Sequence, residues 1–451
     1  MKKIYISLLL LVGVFASTIA QQKGTVLIKG GTVLTVTKGT LEDTDVLIRD
    51  GKFSQIGKNL AAPSGAKVID AKGMYVMPGI IDAHSHLALD AVNEATAPVT
   101  AEVWVGDAMN PLDVGIYRAL AGGVTAAHAM HGSANAIGGQ CETVKFRYGT
   151  VNPDDLRMEG APRTIKFALG ENPTRVHGEG NGITPSTRMG VEHVIRSSFA
   201  EAKQYMEKWD AYNKGKNAKG FAGKAPDYNL RLETLADILR GNIIINCHSY
   251  RADEIYMLMN VCKDFGITKL VFQHVNEGFK VAPELAKFGA GASVFSDWWA
   301  YKFEVYYSTA YNAAILTKNG VTTSINSDSD ELIRHLYHEA GKTQKYGELT
   351  DDQALALITI NPAKQLGVDD RIGSIEVGKE GDVAIFKNHP LSIYTIPMYT
   401  IVDGVVRFDR ENDPADMRIY VDAKEKIDVT FWEKEDFDRC MQNTEFLFTI
   451  K

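Results

Sequence analysis

The segment GIIDAHSHLALD, residues 79–90, decides how the chain is interpreted, because it places two histidines at the end of an apolar strand. Residues i and i+2 of a strand point to the same face, so His84 and His86 are positioned to bind one metal ion. An HxH pair by itself is more often incidental than a ligand pair. A metal site therefore requires further ligands elsewhere in the chain.

The strand pattern that starts at this segment predicts a barrel. From residue 79, apolar strands alternate with longer helical segments such as Glu201 to Asn213 and Ala252 to Phe265, as in parallel βαβ units. We interpret eight segments as strands of an α/β fold of the (β/α)8 barrel type, with functional residues at their carboxyl ends. These segments are GIIDAHSH, GVTAAHAM, TVKFRYG, RTIKFALG, NIIINCHS, KLVFQHV, GASVFSD and TTSINSD.

Three later strands also end in residues that bind metals. His248 ends IIINCHS, His274 ends LVFQHV and Asp328 ends TTSINSD. Because the carboxyl ends of barrel strands meet at one face, these residues are expected to lie near His84 and His86. Imidazole and carboxylate groups suit zinc or a similar divalent ion.

With these residues the chain resembles the amidohydrolase superfamily over about residues 25–410. The resemblance is carried by VMPGIIDAHSHL, by His248, His274 and Asp328 in order, and by ALALITINPAKQLGVDDRIGSIEVGKEGDVAIF, residues 354–386. Within the superfamily the chain looks most like exported relatives of the prolidase and imidazolonepropionase-like enzymes.

The resemblance also implies a domain organisation. In such families the strand-rich segments on either side of the barrel join into one small β-sandwich. We therefore expect a barrel at residues 79–378, a β-sandwich formed by 21–78 and 379–422, and a C-terminal extension at 423–451.

A lysine on the fourth strand distinguishes branches of the superfamily. In prolidase-like members it is carboxylated and bridges two metal ions, and Lys166 in RTIKFALGENP matches it. A one-residue error in strand register would turn Lys166 out of the barrel, which leaves Glu171 as the reserve bridging carboxylate.

The resemblance implies a centre of two divalent ions, with zinc as the expected metal and a CO2-derived carbamate on Lys166 between them. Such a centre activates water for hydrolysis. Asp328 is then also the catalytic residue, as the general acid and base. The resemblance implies that His84, His86 and Asp328 bind one ion and that His248 and His274 bind the other.

Substrate contacts are less clearly marked in the sequence. Tyr250 matches a tyrosine that holds a substrate carboxylate in related dipeptidases, while Arg251 and Arg175 could pair with an anionic group. Each has an alternative as a core or surface residue. His128 and His131, in the Gly-rich segment 128–140, match no ligand position, and their role stays open.

Two other features bear on location and partners. Residues 1–20, MKKIYISLLLLVGVFASTIA, have the pattern of a cleavable signal peptide, which predicts export to the periplasm or the extracellular space. No later segment approaches the ~20 apolar residues of a membrane span.

Removing Lys2 and Lys3 with the signal peptide leaves 47 basic against 56 acidic residues and changes the net charge from −7 to −9. That balance excludes nucleic acid and favours a small-molecule substrate, and a homo-oligomer stays open.

These observations predict a metal-dependent amidohydrolase that cleaves a C–N bond of an amide, a cyclic amide or a dipeptide-like molecule. Two alternatives remain. One is a mononuclear deaminase or imidazolonepropionase-like ring hydrolase, which would lack the bridging lysine. The other is a catalytically inactive exported binding protein.

Overall fold

The computed structural model describes residues 23–219, 221–298, 301–414 and 416–419. The signal peptide predicted at 1–20 and the extension predicted at 423–451 lie outside these residues and stay predictions. Within the described ranges, no helix combines the length and the apolar character that crossing a membrane requires.

The strands of the described residues form two sheets. In chain order they are β1 Val26–Leu34, β2 Thr40–Arg49, β3 Lys52–Gly57, β4 Lys67–Asp70, β5 Tyr75–Pro78, β6 Ile80–Ser85, β7 Val124–Ala129, β8 Ile137–Lys145, β9 Arg163–Ala168, β10 Ile243–Ser249, β11 Leu270–His274, β12 Gly291–Val294, β13 Thr322–Ile325, β14 Val383–Phe386, β15 Pro397–Val402 and β16 Val405–Asp409.

The helices follow most barrel strands and cover the outside of the barrel. They are α1 Val114–Ala121, α2 Glu171–Thr174, α3 Arg188–Gly215, α4 Leu230–Leu239, α5 Ala252–Asp264, α6 Ala282–Phe288, α7 Asn312–Lys318, α8 Leu336–Gly347, α9 Asp351–Ala356 and α10 Ile360–Leu366. A π-helical turn, Arg175–Gly180, continues α2. The helices predicted near residues 201–213 and 252–265 are confirmed as part of α3 and as α5.

The second sheet is the predicted barrel, with the order β6 to β13. It is nearly closed, because the backbone of residues 357–358 lies between its two ends. Ile325 N–H donates to the carbonyl of Leu357, and Ile81 N–H donates to that of Ile358, each at 2.9 Å. The α/β barrel fold is therefore confirmed.

The third strand departs from the prediction. Strand β8 begins six residues before TVKFRYG and runs antiparallel to both β7 and β9, whereas the other neighbouring strands are parallel. Only residues 130–136 join β7 to β8, and a parallel connection needs a crossover of about a dozen residues or more. The expectation of eight parallel strands was wrong at this position.

The first sheet joins both ends of the described chain. Strand β14 pairs antiparallel with β5, so the segment after the barrel completes the sheet begun before it. Strands β2 and β3 form a hairpin whose turn residues, Asp50 and Gly51, both have positive φ, as a tight two-residue turn requires. The sheet encloses an apolar core of its own, built from residues such as Ile28, Phe53 and Ile385.

Candidate metal centre

The carboxyl ends of four strands bring candidate ligands into contact around Asp328. Oδ1 of Asp328 lies 3.4 Å from His84 Nε2 and 3.2 Å from His86 Nε2. Oδ2 lies 3.8 Å from His274 Nε2. The ring of His248 lies next to that of His274, with the two centroids 4.7 Å apart. The structure thus brings together all five side chains that the strand ends supplied.

An unusual backbone orients two of these residues. His274 has φ of 70° and Asp328 has φ of 46°, values that few non-glycine residues adopt. Asn246 and His248 are two residues apart on β10, so both side chains point into the barrel. Gln273 donates a hydrogen bond to Asn246 and therefore also points inward. Strict alternation along β11 would then turn the next residue, His274, away from the centre. The left-handed conformation instead directs its ring toward His84, 4.8 Å away between centroids.

Asp82 positions the centre and was missed from the sequence. Its side chain is fully buried and accepts hydrogen bonds from the N–H of His84 at 3.2 Å, the N–H of Ser327 at 3.1 Å and the Ser327 hydroxyl. Burial raises the pKa of Asp82 to about 7, although the bonds from Ser327 and His84 oppose this shift. Asp82 therefore ties β6 to the segment that carries Asp328, and an acidic residue inside an apolar strand was the available signal.

Hydrogen bonds hold His86, His128 and His131 in place around the centre. His86 Nδ1 lies 2.9 Å from the carbonyl of Met130, which leaves Nε2 facing Asp328. Both nitrogens of His131 are engaged, Nδ1 with the Gly132 carbonyl and Nε2 with the N–H of Glu94, each at 2.9 Å. His128 Nε2 lies 2.7 Å from the Thr164 hydroxyl. His131 therefore holds the loop after β7.

Lys166 points into the barrel. Its side chain is fully buried, and Nζ lies 3.2 Å from His84 Nε2. Its strand neighbours Ile165 and Phe167 pack in the apolar layer outside the barrel, which fixes the register. Glu171 lies elsewhere, with Oε1 at 3.5 Å from Lys302 and 3.6 Å from Arg175.

Burial and the Lys166 charge set the protonation of the cluster. Burial lowers the pKa of His84 and His248 well below the usual value, and that of His274 to about 3. For Asp328, burial acts to raise the pKa, but the His86 hydrogen bond and nearby positive charges lower it to about 2. The imidazoles of His84, His248 and His274 are therefore neutral and Asp328 is ionised, and these are the forms that bind metals.

The donor set fits a divalent metal. Both ring nitrogens of His248 and of His274 are buried without a hydrogen-bond partner, which is rare for buried polar groups. Donor atoms of His84, His274 and Asp328 all lie within 4.8 Å of one another. Nitrogen and oxygen donors at this spacing suit zinc or a similar ion.

The three predicted substrate residues differ in placement. Tyr250 is buried, and its ring centroid lies 4.5 Å from that of His248. Arg251 forms a two-point ion pair with Asp253 at 3.0 and 2.8 Å, and 42% of its side chain is exposed. Arg175 contacts Glu171. Of these residues, the structure places Tyr250 against the candidate ligands.

Comparisons with known proteins identify relatives of the chain. The sequence model described as the amidohydrolase family matches residues 304–409. The chain is 30% identical over 400 residues to a protein of Hapsidospora irregularis named amidohydrolase tasK. That match covers 81% of this chain, which spans only 40% of the relative.

Solved structures extend the comparison to the fold. The crystal structure of an amidohydrolase from Thermotoga maritima is 35% identical, with a TM-score of 0.79, and the match covers 85% of this chain and 100% of that one. A zinc-bound adenosine deaminase from Xanthomonas campestris has 17% identity and a TM-score of 0.54 over 92% of this chain and 98% of that one, which shows the fold alone. Because the Thermotoga protein is 35% identical and matched over its whole length, the chain belongs to the amidohydrolase superfamily.

Proposed function

We propose that this protein is a metal-dependent hydrolase that cleaves a C–N bond of a small amide, a cyclic amide or a dipeptide-like molecule. The observation that carries the proposal is the convergence of five metal-binding side chains on one buried site that also contains Lys166. Family membership supports the reaction class. The identity of the substrate depends on the residues around the metal centre and needs its own test.

Lys166 supports a centre of two ions. A charged amine buried beside an imidazole is unfavourable, and a carbamate formed with CO2 would replace the positive charge by two oxygen ligands. We assign His84, His86 and Asp328 to one ion, His248 and His274 to the other, and the Lys166 carbamate to the bridging position.

Asp328 would perform the proton transfers. The metal centre would supply an activated water and polarise the substrate carbonyl. Asp328 is ionised at neutral pH because its pKa is about 2, and 14% of its side chain is exposed to solvent. It would accept a proton from the water and return it to the leaving nitrogen, which is general base and then general acid catalysis.

Metal analysis of wild type and Lys166→Met tests the proposal. We expect about two equivalents of zinc or a similar ion in the wild type, and at most one in the variant together with loss of amide hydrolysis. The matched control is Lys345→Met, which removes an exposed lysine and should behave like the wild type.

Other results would overturn this proposal. A single ion in both the wild type and the Lys166→Met variant would favour the mononuclear deaminase alternative. A wild type that binds no metal after reconstitution would contradict both enzymatic readings.

We also propose that the mature chain is exported, on the basis of the pattern in residues 1–20. Mass spectrometry of protein expressed in its host should find a chain that lacks this segment. An intact N-terminus in the mature protein would contradict export by a cleaved signal.

A further inference from the structure

An open cavity lined by arginines lies between the barrel helices and the first sheet. Its volume is about 150 Å3, whereas one water molecule takes up ~30 Å3 in the liquid. None of its lining residues is a proposed metal ligand. Helix α1, the first residues of α8 with the turn before them, and the residues after β16 contribute its polar side chains, which are Arg118, Arg334, His335, Tyr337, Arg410 and Arg418. We call it the arginine cavity.

Close packing holds two of these arginines at the cavity. Gly122 caps α1, and a Cβ there would lie 2.5 Å from the backbone carbonyl oxygen of Arg334, so this glycine lets the turn Leu332–His335 approach the helix. Burial raises the pKa of Tyr337, while the charges of Arg410 and Arg334 act against that shift. Arg334 and Arg410 therefore reach the same tyrosine, one from the barrel side and one from the side of the first sheet.

Like charges are crowded where the first sheet borders the arginine cavity. The guanidinium carbon of Arg410 lies 5.6 Å from the centroid of the Phe408 ring, and that of Arg418 lies 5.7 Å from the same centroid. Burial lowers the pKa of Arg410, and the Arg418 charge lowers it further. Two cations on one ring repel each other, so a bound anion would stabilise this arrangement.

Arg410 and Arg334 also keep hydrogen-bond donors without partners. Arg410 Nε donates to the carbonyl of Pro397 at 2.6 Å, and no carboxylate of the described residues lies within ion-pair distance of this arginine. Arg334 pairs with Glu331, whose side chain is 76% exposed, while Arg334 Nε is buried and has no hydrogen-bond partner in the described part of the chain. A guanidinium group has five N–H donors, so both side chains retain capacity for an anion.

Compensation of the α1 dipole does not account for this cluster. The carboxyl end of a helix carries about half a negative charge, which one arginine in the last turn, Arg118, is enough to balance. Asp416 pairs with Arg418 at 2.5 Å, but its side chain is 36% exposed, and exposed ion pairs are weak. Arg410 therefore carries a charge that neither the helix nor a described carboxylate requires.

We propose that the arginine cavity binds a phosphate group, as the free ion or as part of a small phosphorylated molecule. Guanidinium groups donate pairs of parallel hydrogen bonds to phosphate oxygens, and a phosphate monoester carries nearly two negative charges at neutral pH. Arg334 and Arg410 would bind it together and so connect the turn before α8 with the end of β16. This site does not depend on the proposed hydrolytic reaction.

Isothermal titration calorimetry with inorganic phosphate, on the full metal-loaded chain, tests the proposal. We expect the wild type to bind phosphate, and Arg410→Met to bind it about ten- to hundredfold more weakly, because hydrogen bonds between charged groups are lost. Arg410→Lys should recover part of the affinity, since lysine keeps the charge but not the paired donors. Arg334→Met should also weaken binding, and it decides the question if Arg410→Met does not fold.

Arg196 offers a matched control. It pairs with Glu192 and Asp264, each at 2.8 Å, and its side chain is 37% exposed, so Arg196→Met also removes a guanidinium group with its ion pairs. This variant should bind phosphate like the wild type. Wild-type affinity in folded Arg410→Met and Arg334→Met would overturn the proposal, as would a wild type that binds no phosphate.

A titration after chelation separates the arginine cavity from the metal centre, because phosphate also binds metal ions. Binding that survives chelation in the wild type and is weakened in Arg410→Met supports the proposal. Binding that disappears on chelation and is unchanged in metal-loaded Arg410→Met assigns the phosphate to the metal centre and overturns it.

Two further ligands define what the cavity takes. Tighter binding of glycerol phosphate than of inorganic phosphate supports a phosphorylated molecule, and the reverse order supports the free ion. Succinate presents two carboxylates in place of a phosphate group. If succinate binds more tightly than either phosphate compound, the assignment to phosphate is overturned.

Discussion

At the scale of single residues, the candidate centre depends on side chains whose charge is set by burial. The imidazoles of His84, His248 and His274 are neutral, and Asp328 is the ionised group among them. Asp82 has a different part, because its oxygens bind the backbone of His84 and Ser327. Asp328, which contacts the histidines, and Asp82, which holds their backbone in place, should therefore respond differently to substitution.

Replacing Asp328 with asparagine should affect rate more than substrate affinity. The amide keeps the size of the side chain but cannot accept a proton, so kcat should fall by about 10²- to 10⁴-fold while KM changes little. Steady-state kinetics together with metal analysis checks this, because a variant that loses its metal would not report on proton transfer. Asp264→Asn, which alters an exposed carboxylate on α5, serves as the control. Full activity of metal-loaded Asp328→Asn would rule out the assigned role.

At the scale of elements, the reversed strand β8 connects the barrel to the first sheet. Its last residue, Lys145, is fully buried and lies 2.8 Å from Glu380, 2.9 Å from Asp382 and in contact with Asp403. Burial raises the pKa of Asp382 to about 6, and the Lys145 charge opposes that shift. Asp403 belongs to the turn between β15 and β16, so one ammonium group links elements far apart in the chain.

Removing that ammonium group should destabilise the protein most at high pH. Lys145→Met leaves buried carboxylates without their cation, which should cost about 3–5 kcal/mol near pH 8. Their pKa values in the folded state then rise above those of the unfolded chain, so the folded state binds more protons and its stability falls as pH increases. The Tm difference from the wild type should be larger at pH 8 than at pH 5.5.

The comparison needs a surface control. Lys345→Met removes an exposed lysine from α8 and should shift the Tm little at either pH. A Tm difference for Lys145→Met that is the same at pH 8 and pH 5.5 would show that the lysine does not balance these carboxylates.

At the scale of the whole molecule, the proposed ligands come from strands separated by more than two hundred residues, between His84 and Asp328. The unfolded chain does not hold them together, so a metal ion binds the folded state selectively and stabilises it. The same ions would connect β6 with β10, β11 and the end of β13. Metal content and thermal stability should therefore change together.

Chelation should lower the Tm of the wild type. An ion present at about 1,000 times its Kd contributes ~4 kcal/mol, which predicts a decrease of at least ~5 °C in a chain of this size. Differential scanning fluorimetry with and without chelator, followed by added zinc, measures the loss and its recovery. His248→Ala should show a smaller decrease, because one proposed ligand is already missing. Equal Tm values before and after verified metal removal would contradict a site that couples the strands.

The sequence by itself determined most of the barrel strands, the flanking strand-rich segments and the types of ligand at the strand ends. These features are local, since apolar periodicity and side-chain chemistry can be recognised in short segments. It left open whether Lys166 or Glu171 faces the centre, because a shift of one residue turns a strand side chain to the opposite face.

Only the tertiary structure decided the remaining points. It turned Lys166 toward His84, reversed β8 and rotated His274 into the centre through a positive φ. It also recruited Asp82, whose partner Ser327 follows a distant strand. Packing between distant segments sets the direction of a strand and the register of a side chain, and no short segment contains the energy that chooses between them.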